Sequence, residues 1–486
     1  MRKVIPFIFM ALLGLTACSG QILSLFTDNY GDNDPTENTT ANIEGIVESE
    51  VFEIIRDLRG REIRIAAHWS YLPFVTGGSM PNLEESLNAR RHELDMMFYN
   101  QVQRISQEYN INLQAIHIEH QEIMPTLQTS VMARNPFADM VLLGSEMILP
   151  AITGNLIYAL EEFVPPDADL WGNQNWVRPS ANFIDLYWAF APYSINFEGV
   201  FLGVNQDIIR EIGADNPVTL YEGGQWTFDR FWEIMHLAAS QPEQNRFGIS
   251  GAPGDIITHL IAANDGVMVY NFNYAYDNPN TMAALQFAHQ IFSTDNIWQN
   301  NHHIQDRDRN FFAFLERQSA FFPISEWALQ QANIDFPYSI VPFPRGPNNE
   351  SSYTFMKGFG MGLSVPRGVR NPQDVYTIFE GISQWSGDNP NLQLERDQEY
   401  FISLFASDST TSNRLASDNA IRVINILNNQ GKFDIGLAIP GFDWMHSILA
   451  EGFINGSMNV PRAVEQFRRP QQEILDTALE NWVIRE

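Results

Sequence analysis

The 486-residue sequence predicts an α/β protein folded as two lobes, and three observations lead there. Some 470 residues remain after a short N-terminal leader, too many for one hydrophobic core. Three β-rich runs, GREIRIAAHW (60–69), INLQAIHIEH (111–120) and ADMVLLGSE (138–146), alternate with helical patterns, as in a parallel sheet. A second series of strands and helices follows beyond residue 200. It leaves through YSIVPFPRGP, whose Pro342, Pro344 and Pro347 stiffen a crossing between lobes.

The chain opens with Met1-Arg2-Lys3 and the apolar run VIPFIFMALLGL, which has the length of a secretory h-region and is too short to span a bilayer. Leu15-Thr16-Ala17-Cys18 then resembles a bacterial lipobox, which implies cleavage before Cys18 and lipidation of its thiol. Cys18 is the only cysteine, so the remaining chain has no intramolecular disulfide, no cysteine-rich zinc site and no other thiol nucleophile. Between Val4 and Ile55 there is no Lys or Arg, and the Asp-, Glu-, Asn- and Thr-rich stretch after Cys18 reads as a solvated tether. Asp32-Asn33-Asp34 within it lacks the glycine and distal glutamate of a calcium loop.

In the folded body, Leu94, Met97, Phe98, Val102 and Ile105 recur at spacings of three and four and predict a helix over 89–110. EIMPTLQTSVMA predicts a second helix, interrupted early by Pro125. Thr227 fits an N-cap for a helix carrying Phe228, Phe231, Trp232, Met235 and Leu237 on one stripe. FGISG reads as a strand, DIITHLIAAND and MAALQFAHQIFS as helices, SAFFPISEW and FMKGFGMGLSVP as β-structure, and helices fill most of the last 110 residues. Trp226, Trp232 and Trp385 are assigned to packing on helical stripes. No internal repeat is apparent.

Composition excludes several classes. The apolar fraction is 44% and the aromatic fraction 12%, as in a well-packed globular protein. The formal charge is −29, or −31 without Arg2 and Lys3, which repels phosphate backbones and anionic lipid, so nucleic acid is a poor partner. There is no G-x-S-x-G elbow, H-E-x-x-H or P-loop. His302-His303 with Asp306 and Asp308 read as an exposed loop, because adjacent histidines do not readily face one ion. No metal and no cofactor are expected.

Ligands of parallel α/β sheets bind beyond the carboxyl ends of the strands. That rule selects Trp69 and Tyr71 after the first strand, and Gly144, Ser145 and Glu146 after the third.

FADMVLLGSE, GVFLGVNQDIIREIG followed by GQWTFDRFWEI, FGISG, ERQSAFFPISEW, YSIVPFPRGP, GFGMGLSVPRGVRNPQDVYTIFEGISQW and INGSMNVPRAVEQF, taken in order, resemble family 1 extracellular solute-binding proteins. These are the relatives of maltose-binding protein that serve ABC importers. The resemblance implies a type II periplasmic-binding-protein-like fold, with a ligand cleft between lobes joined by crossing strands. Its implied organisation is a lipoprotein signal peptide at 1–17, an acidic tether at 18–59 and a first lobe at 60–199. A second lobe follows at 200–344, the first lobe returns at 345–415, and C-terminal helices of 416–486 lie mainly on the second. It also implies a monomeric receptor, lipid-anchored outside the cytoplasmic membrane, that passes a solute to ABC permease transmembrane subunits and is not an enzyme.

Sugars need aromatic platforms and a few carboxylates and amides. By position in the resemblance, Trp327 is a stacking residue with Glu326 beside it as hydroxyl acceptor. Trp444 and the preceding Asp443 match another aromatic position, and Phe359 lies where the returning strand borders the cleft. Asn264 and Asp265 are weaker additions. Ser145-Glu146 stands where some maltose-binding relatives carry an aromatic residue, so maltose itself is not implied. A glycosidase-like enzyme, a receptor of the same fold for a non-sugar solute, and a structural lipoprotein are the alternatives.

Overall fold

The structure is a computed structural model. It describes residues 57–68, 89–172, 182–183, 186–191, 199–241, 245–299, 307–331, 334–350, 352–357, 361–387, 389–406, 413–429, 431–439, 442 and 444–483. Cys18, Trp69, Tyr71, His302, His303, Asp306, Phe359 and Asp443 lie outside the described residues.

The first half runs β1 (Arg61–Ala67), α1 (Ala89–Glu108), β2 (Ile111–His117), α2 (His120–Met132), β3 (Met140–Leu143) and α3 (Ser145–Thr153). The second half contains β4 (Phe201–Asn205), α4 (Phe228–Ala239), β5 (Phe247–Ile249), α5 (Pro253–Ala263), α6 (Pro279–Ser293), α7 (Arg307–Leu315), β6 (Ser319–Ile324), α8 (Glu326–Gln331) and β7 (Tyr338–Val341). The chain continues through β8 (Phe355–Met356), β9 (Gly362–Ser364), α9 (Pro372–Ser383), α10 (Pro390–Phe405) and α11 (Asn413–Asn429). It ends with β10 (Gly431–Lys432), α12 (Trp444–Ile454) and α13 (Val460–Val483).

Two four-stranded sheets organise these elements. The first has the order β2-β1-β3-β9, parallel except for β9, and Phe190 pairs reciprocally with Leu363 on the outer side of β9. The second has the order β5-β6-β4-β7, with β4 antiparallel to both neighbours, and Trp298 bridges Ile249 on the outer side of β5. Counting those bridges, both sheets read alike: second parallel segment, first, third, one antiparallel strand, then the next parallel segment. The antiparallel strand of each sheet is the first to follow a segment of the other. β4 comes after Phe190 of the first sheet, and β9 comes after β7 of the second.

Side chains alternate between the faces of each sheet, both of which are buried. Ile63, Ile65, Met140 and Leu142 meet α1 and α9 on one side. Ala66, Val141 and Leu143 meet Ile123 and Leu127 of α2 and Ile148 of α3 on the other. In the second sheet Leu202, Val204 and Val341 join the α4, α5 and α6 core, while Phe201, Tyr338 and Ile340 face Phe401, Phe405 and Val423 of α10 and α11.

Local signals read from sequence hold where packing agrees with them. Leu94, Phe98, Val102 and Ile105 are buried on α1, and Met97 packs at the margin. The Thr227 hydroxyl caps α4 through the Arg230 amide. Leu237, however, is 43% exposed, and Ile234 and Ala238 complete the buried stripe. Trp226 and Trp385 are core residues, as expected, but neither lies on an α-helical stripe. Trp226 precedes α4 and donates its indole N–H to Pro342 O at 2.9 Å, and Trp385 sits in a 3-10 turn. Asp308, read as part of a loop, lies in the first turn of α7.

A buried ion network ties the amino ends of the first sheet. Arg61 contacts Asp139 at 3.1 Å and Asp374 of α9 at 3.0 Å, and Asp139 also accepts the Arg64 backbone amide at 2.9 Å. Two histidines, His259 and His446, are enclosed in the core beside the second sheet. The Thr258 hydroxyl donates to Gly254 O, so it accepts from Nδ1–H of His446, whose Nε2 then accepts from the Tyr276 hydroxyl; both histidine contacts are 2.7 Å. Burial pushes His446 and His259 down to about 3. The unfolded chain therefore takes up protons below pH 6.5 that the folded chain refuses, and stability is lost as pH falls from 6.5 toward 3. Unfolding free energies from urea titrations between pH 7.5 and 4.5 should fall, below pH 6.5, by on the order of 1 kcal/mol per pH unit for each ring. His446→Gln should flatten that slope, and an equal slope in the variant would refute the assignment.

Candidate functional site at the strand carboxyl ends

The carboxyl ends of β1, β2 and β3 converge on a cluster of imidazoles and carboxylates. His68 follows β1, His117 ends β2, His120 opens α2, and Glu146 lies in the first turn of α3. His120 Nε2 is 3.0 Å from Glu146 Oε1, and His117 Nε2 is 3.4 Å from Glu119 Oε1. The His68 ring meets His120 edge-on at 5.4 Å between centroids and lies near-parallel to His117 at 6.4 Å. The side chains of His117, Glu119, His120 and Glu146 are 50–64% exposed, so a solute can reach them.

Gly144 makes the position of Glu146 possible. Its φ of −69° is open to any residue, so the requirement is for space rather than for backbone freedom. A Cβ there would stand 2.5 Å from Glu146 Oε1 and 2.6 Å from Oε2, because the carboxylate folds back over the turn. The α3 amino terminus favours negative charge at that spot.

On the second sheet, Glu326 and Trp327 open α8 directly beyond β6, and Glu326 accepts a hydrogen bond from the Tyr400 hydroxyl of α10. Ser145-Glu146 and Glu326-Trp327 thus occupy equivalent places, each starting a helix after the third parallel strand of its sheet. Trp444 is the first residue of α12. Asn264 and Asp265 are not gathered with these residues. They follow the carboxyl end of α5, one helix length, about 16 Å, from the β5 end where α5 begins. Asn264 is fully buried, donating to Asn280 O at 2.7 Å and accepting from the Asn348 amide at 2.8 Å. Asp265 pairs with Lys432 of β10 at 2.9 Å.

His117 and His120 stand at the carboxyl end of the second strand, a place to which the strand-end rule also points. Its signal was the run His117-Ile118-Glu119-His120, which closes a predicted strand with three ionisable groups in four residues. A separate crevice of about 460 Å³ lies between α3 and α13, lined by Leu149, Pro150, Ile439, Pro470, Ile474 and Ala478. That lining is mostly apolar, with Thr153, Glu473 and Thr477 as its polar members. Among the described residues no three metal-binding side chains are arranged around one point, and no helix is long and apolar enough to cross a membrane.

No protein-family model and no curated protein matches the sequence. Solved structures match across most of the chain. The sugar-binding protein MalE from Xanthomonas citri aligns with TM-score 0.60 and 13% identity over 87% of this chain and 99% of that one. An ABC substrate-binding protein from Listeria monocytogenes, in complex with cycloalternan, aligns with TM-score 0.56 and 12% identity over 87% and 99%. A solute-binding protein from Agrobacterium radiobacter, in complex with ribitol, aligns with TM-score 0.54 and 12% identity over 86% and 100%. The chain therefore has the two-lobed α/β fold of periplasmic-type binding proteins, and these neighbours are ABC-transporter or sugar-binding proteins rather than enzymes.

Gly144→Ala should displace the Glu146 carboxylate from the turn and break its contact with His120, while changing stability by less than about 1 kcal/mol. A crystal structure and a denaturation curve check this, and an unmoved carboxylate would refute the role given to Gly144.

Proposed function

We propose that the protein is the solute receptor of an ABC importer, anchored through a lipidated Cys18 on the outer face of the cytoplasmic membrane. It holds a sugar or oligosaccharide between its lobes and delivers it to permease transmembrane subunits. The observation carrying this reading is the fold shared over 86–87% of the chain with sugar- and polyol-binding proteins of such transporters. The exposed hydrogen-bonding groups at the first sheet's carboxyl edge support it.

In this reading the lobes follow the organisation proposed from sequence, with 60–199 and 345–415 in one and 200–344 with most of 416–486 in the other. Glu146, Ser145, Trp69 and Tyr71 contribute from the first lobe, and Glu326, Trp327, Phe359, Asp443 and Trp444 from the second or from the crossings. The receptor acts as a monomer, needs no cofactor, and leaves its solute intact. Hinge closure around the solute creates the form that the permease engages.

Thermal denaturation of the unlipidated protein against mono- and oligosaccharides and polyols, with peptides as controls, tests this. A solute at a hundredfold excess over its Kd should stabilise the fold by about 2.7 kcal/mol. Stabilisation by peptides alone would favour a non-sugar receptor, and hydrolysis of an oligosaccharide would overturn the binding role. Cys18→Ser should move the protein from the membrane fraction to the soluble one, and unchanged membrane association would refute the anchor.

A further inference from the structure

Glu326 opens α8 directly beyond β6, and the Ser325 hydroxyl before it accepts the Ala328 amide at 3.3 Å, which fixes the first turn of that short helix. The Glu326 carboxylate then accepts a hydrogen bond from the Tyr400 hydroxyl of α10, 74 residues further along the chain. The Tyr400 ring packs against the core that contains Phe401, Leu404 and Phe405, and it meets Phe401 edge-on at 5.5 Å. On the same face of α10, at spacings of three and four residues, Arg396 pairs with Asp95 at 3.4 Å and Gln393 accepts the Trp385 indole N–H at 2.7 Å. Asp95 lies on α1, and α1 and Trp385 both pack in the core of the first sheet. α10 has 16 residues and is about 24 Å long. One helix seated against the cores of both sheets therefore carries the phenol that meets Glu326.

A glutamate side chain turns about three bonds, and fixing it at the moment a solute arrives costs affinity. A neighbour that has already fixed it removes that cost. A carboxylate offers about four acceptor sites, so one phenol hydroxyl orients it and leaves it able to accept from a solute hydroxyl. A phenol also brings no positive charge, so it does not cancel the carboxylate as an arginine or lysine does. If Tyr400 instead competed with the solute for Glu326, removing its hydroxyl would tighten binding, so the two roles differ in sign.

We propose that Tyr400 is a positioning residue of the solute site: its hydroxyl holds Glu326 in the orientation that accepts a solute hydroxyl, and α10, pinned by Arg396 on Asp95, sets where the phenol stands. The inference rests on the sugar-receptor reading and deepens it, because it makes affinity depend on two residues that act through Glu326 rather than on the solute itself.

Isothermal titration of the unlipidated protein with maltotriose, cycloalternan and ribitol tests this. For whichever solute binds, Tyr400→Phe should weaken binding about three- to tenfold and Arg396→Met about two- to threefold. Added to Glu326→Ala, neither substitution should change affinity by more than about 1.5-fold, because nothing is left to position. Added to Glu326→Gln, whose amide oxygen still accepts from the hydroxyl, Tyr400→Phe should again weaken binding by at least about twofold. A merely structural phenol would weaken binding equally in every background. Urea denaturation shows whether each variant is folded, and the Arg396→Met arm reads the same cycle if Tyr400→Phe is not. Equal losses in all backgrounds, unchanged affinity in Tyr400→Phe, or tighter binding overturn the positioning role and leave the receptor reading intact. Undiminished binding by Glu326→Ala does the same, since it takes that carboxylate out of the site. Failure of the unsubstituted protein to bind any of the three, or any sugar or polyol of the wider panel, overturns the sugar-receptor reading, and the positioning role falls with it.

Discussion

The structure depends on one topological constraint: each sheet is completed by a strand that reaches it from the other. β4 sits between β6 and β7 of the second sheet, yet the last segment paired before it is Phe190 on the first. β9 joins β3 after the chain has left β7. The second sheet forms from one contiguous piece, residues 201–341, but the first does not, because β9 returns to it only after that piece, and this late contact is long-range. The crossings also restrict how the halves can move, since rigid three-layer bodies joined by a few segments move by hinging.

α10 adds a third connection of a different kind. Near its middle, Arg396 pairs with Asp95 at 3.4 Å and stacks over Phe98 and Trp385 in the core of the first sheet. Further along the helix, Phe401, Leu404 and Phe405 pack with Tyr338 and Ile340 of the second sheet. Tyr400, on the turn between these contacts, holds Glu326 at the start of α8. The carboxylate at the second sheet's carboxyl edge is thus tied to an element that touches both halves. Among the described residues, Glu146 on the first edge is held by its own turn and by His120.

Much of the fold was legible because its cores impose simple periods. The first three β-runs, the α1 stripe and the Thr227 cap all express burial on a repeating face, and that signal survives in a single sequence. Leu237 misled because helical spacing alone does not say where a stripe ends, and tertiary packing chose Ile234 and Ala238 instead. The identical strand order of the two sheets was invisible, because it lies in connections and not in residue types. In the site, Ser145-Glu146 and Glu326-Trp327 were accessible from the strand-end rule and from the resemblance. Asn264 was not separable from them by residue type, since a buried bracket and a ligand contact both call for an amide.

The histidines show why residue type alone underdetermines role. His446 is enclosed, its nitrogens committed to Thr258 and Tyr276, and desolvation holds it neutral far below the ordinary imidazole range. His117 and His120 carry the same side chain at a strand end, more than half exposed and beside Glu119 and Glu146. One environment converts imidazole into a neutral hydrogen-bonding bracket whose protonation would unfold the lobe. The other leaves the ring open to solvent beside a carboxylate at the carboxyl edge of the sheet. Burial and neighbours, supplied by strand order and by a missing side chain at Gly144, make that difference.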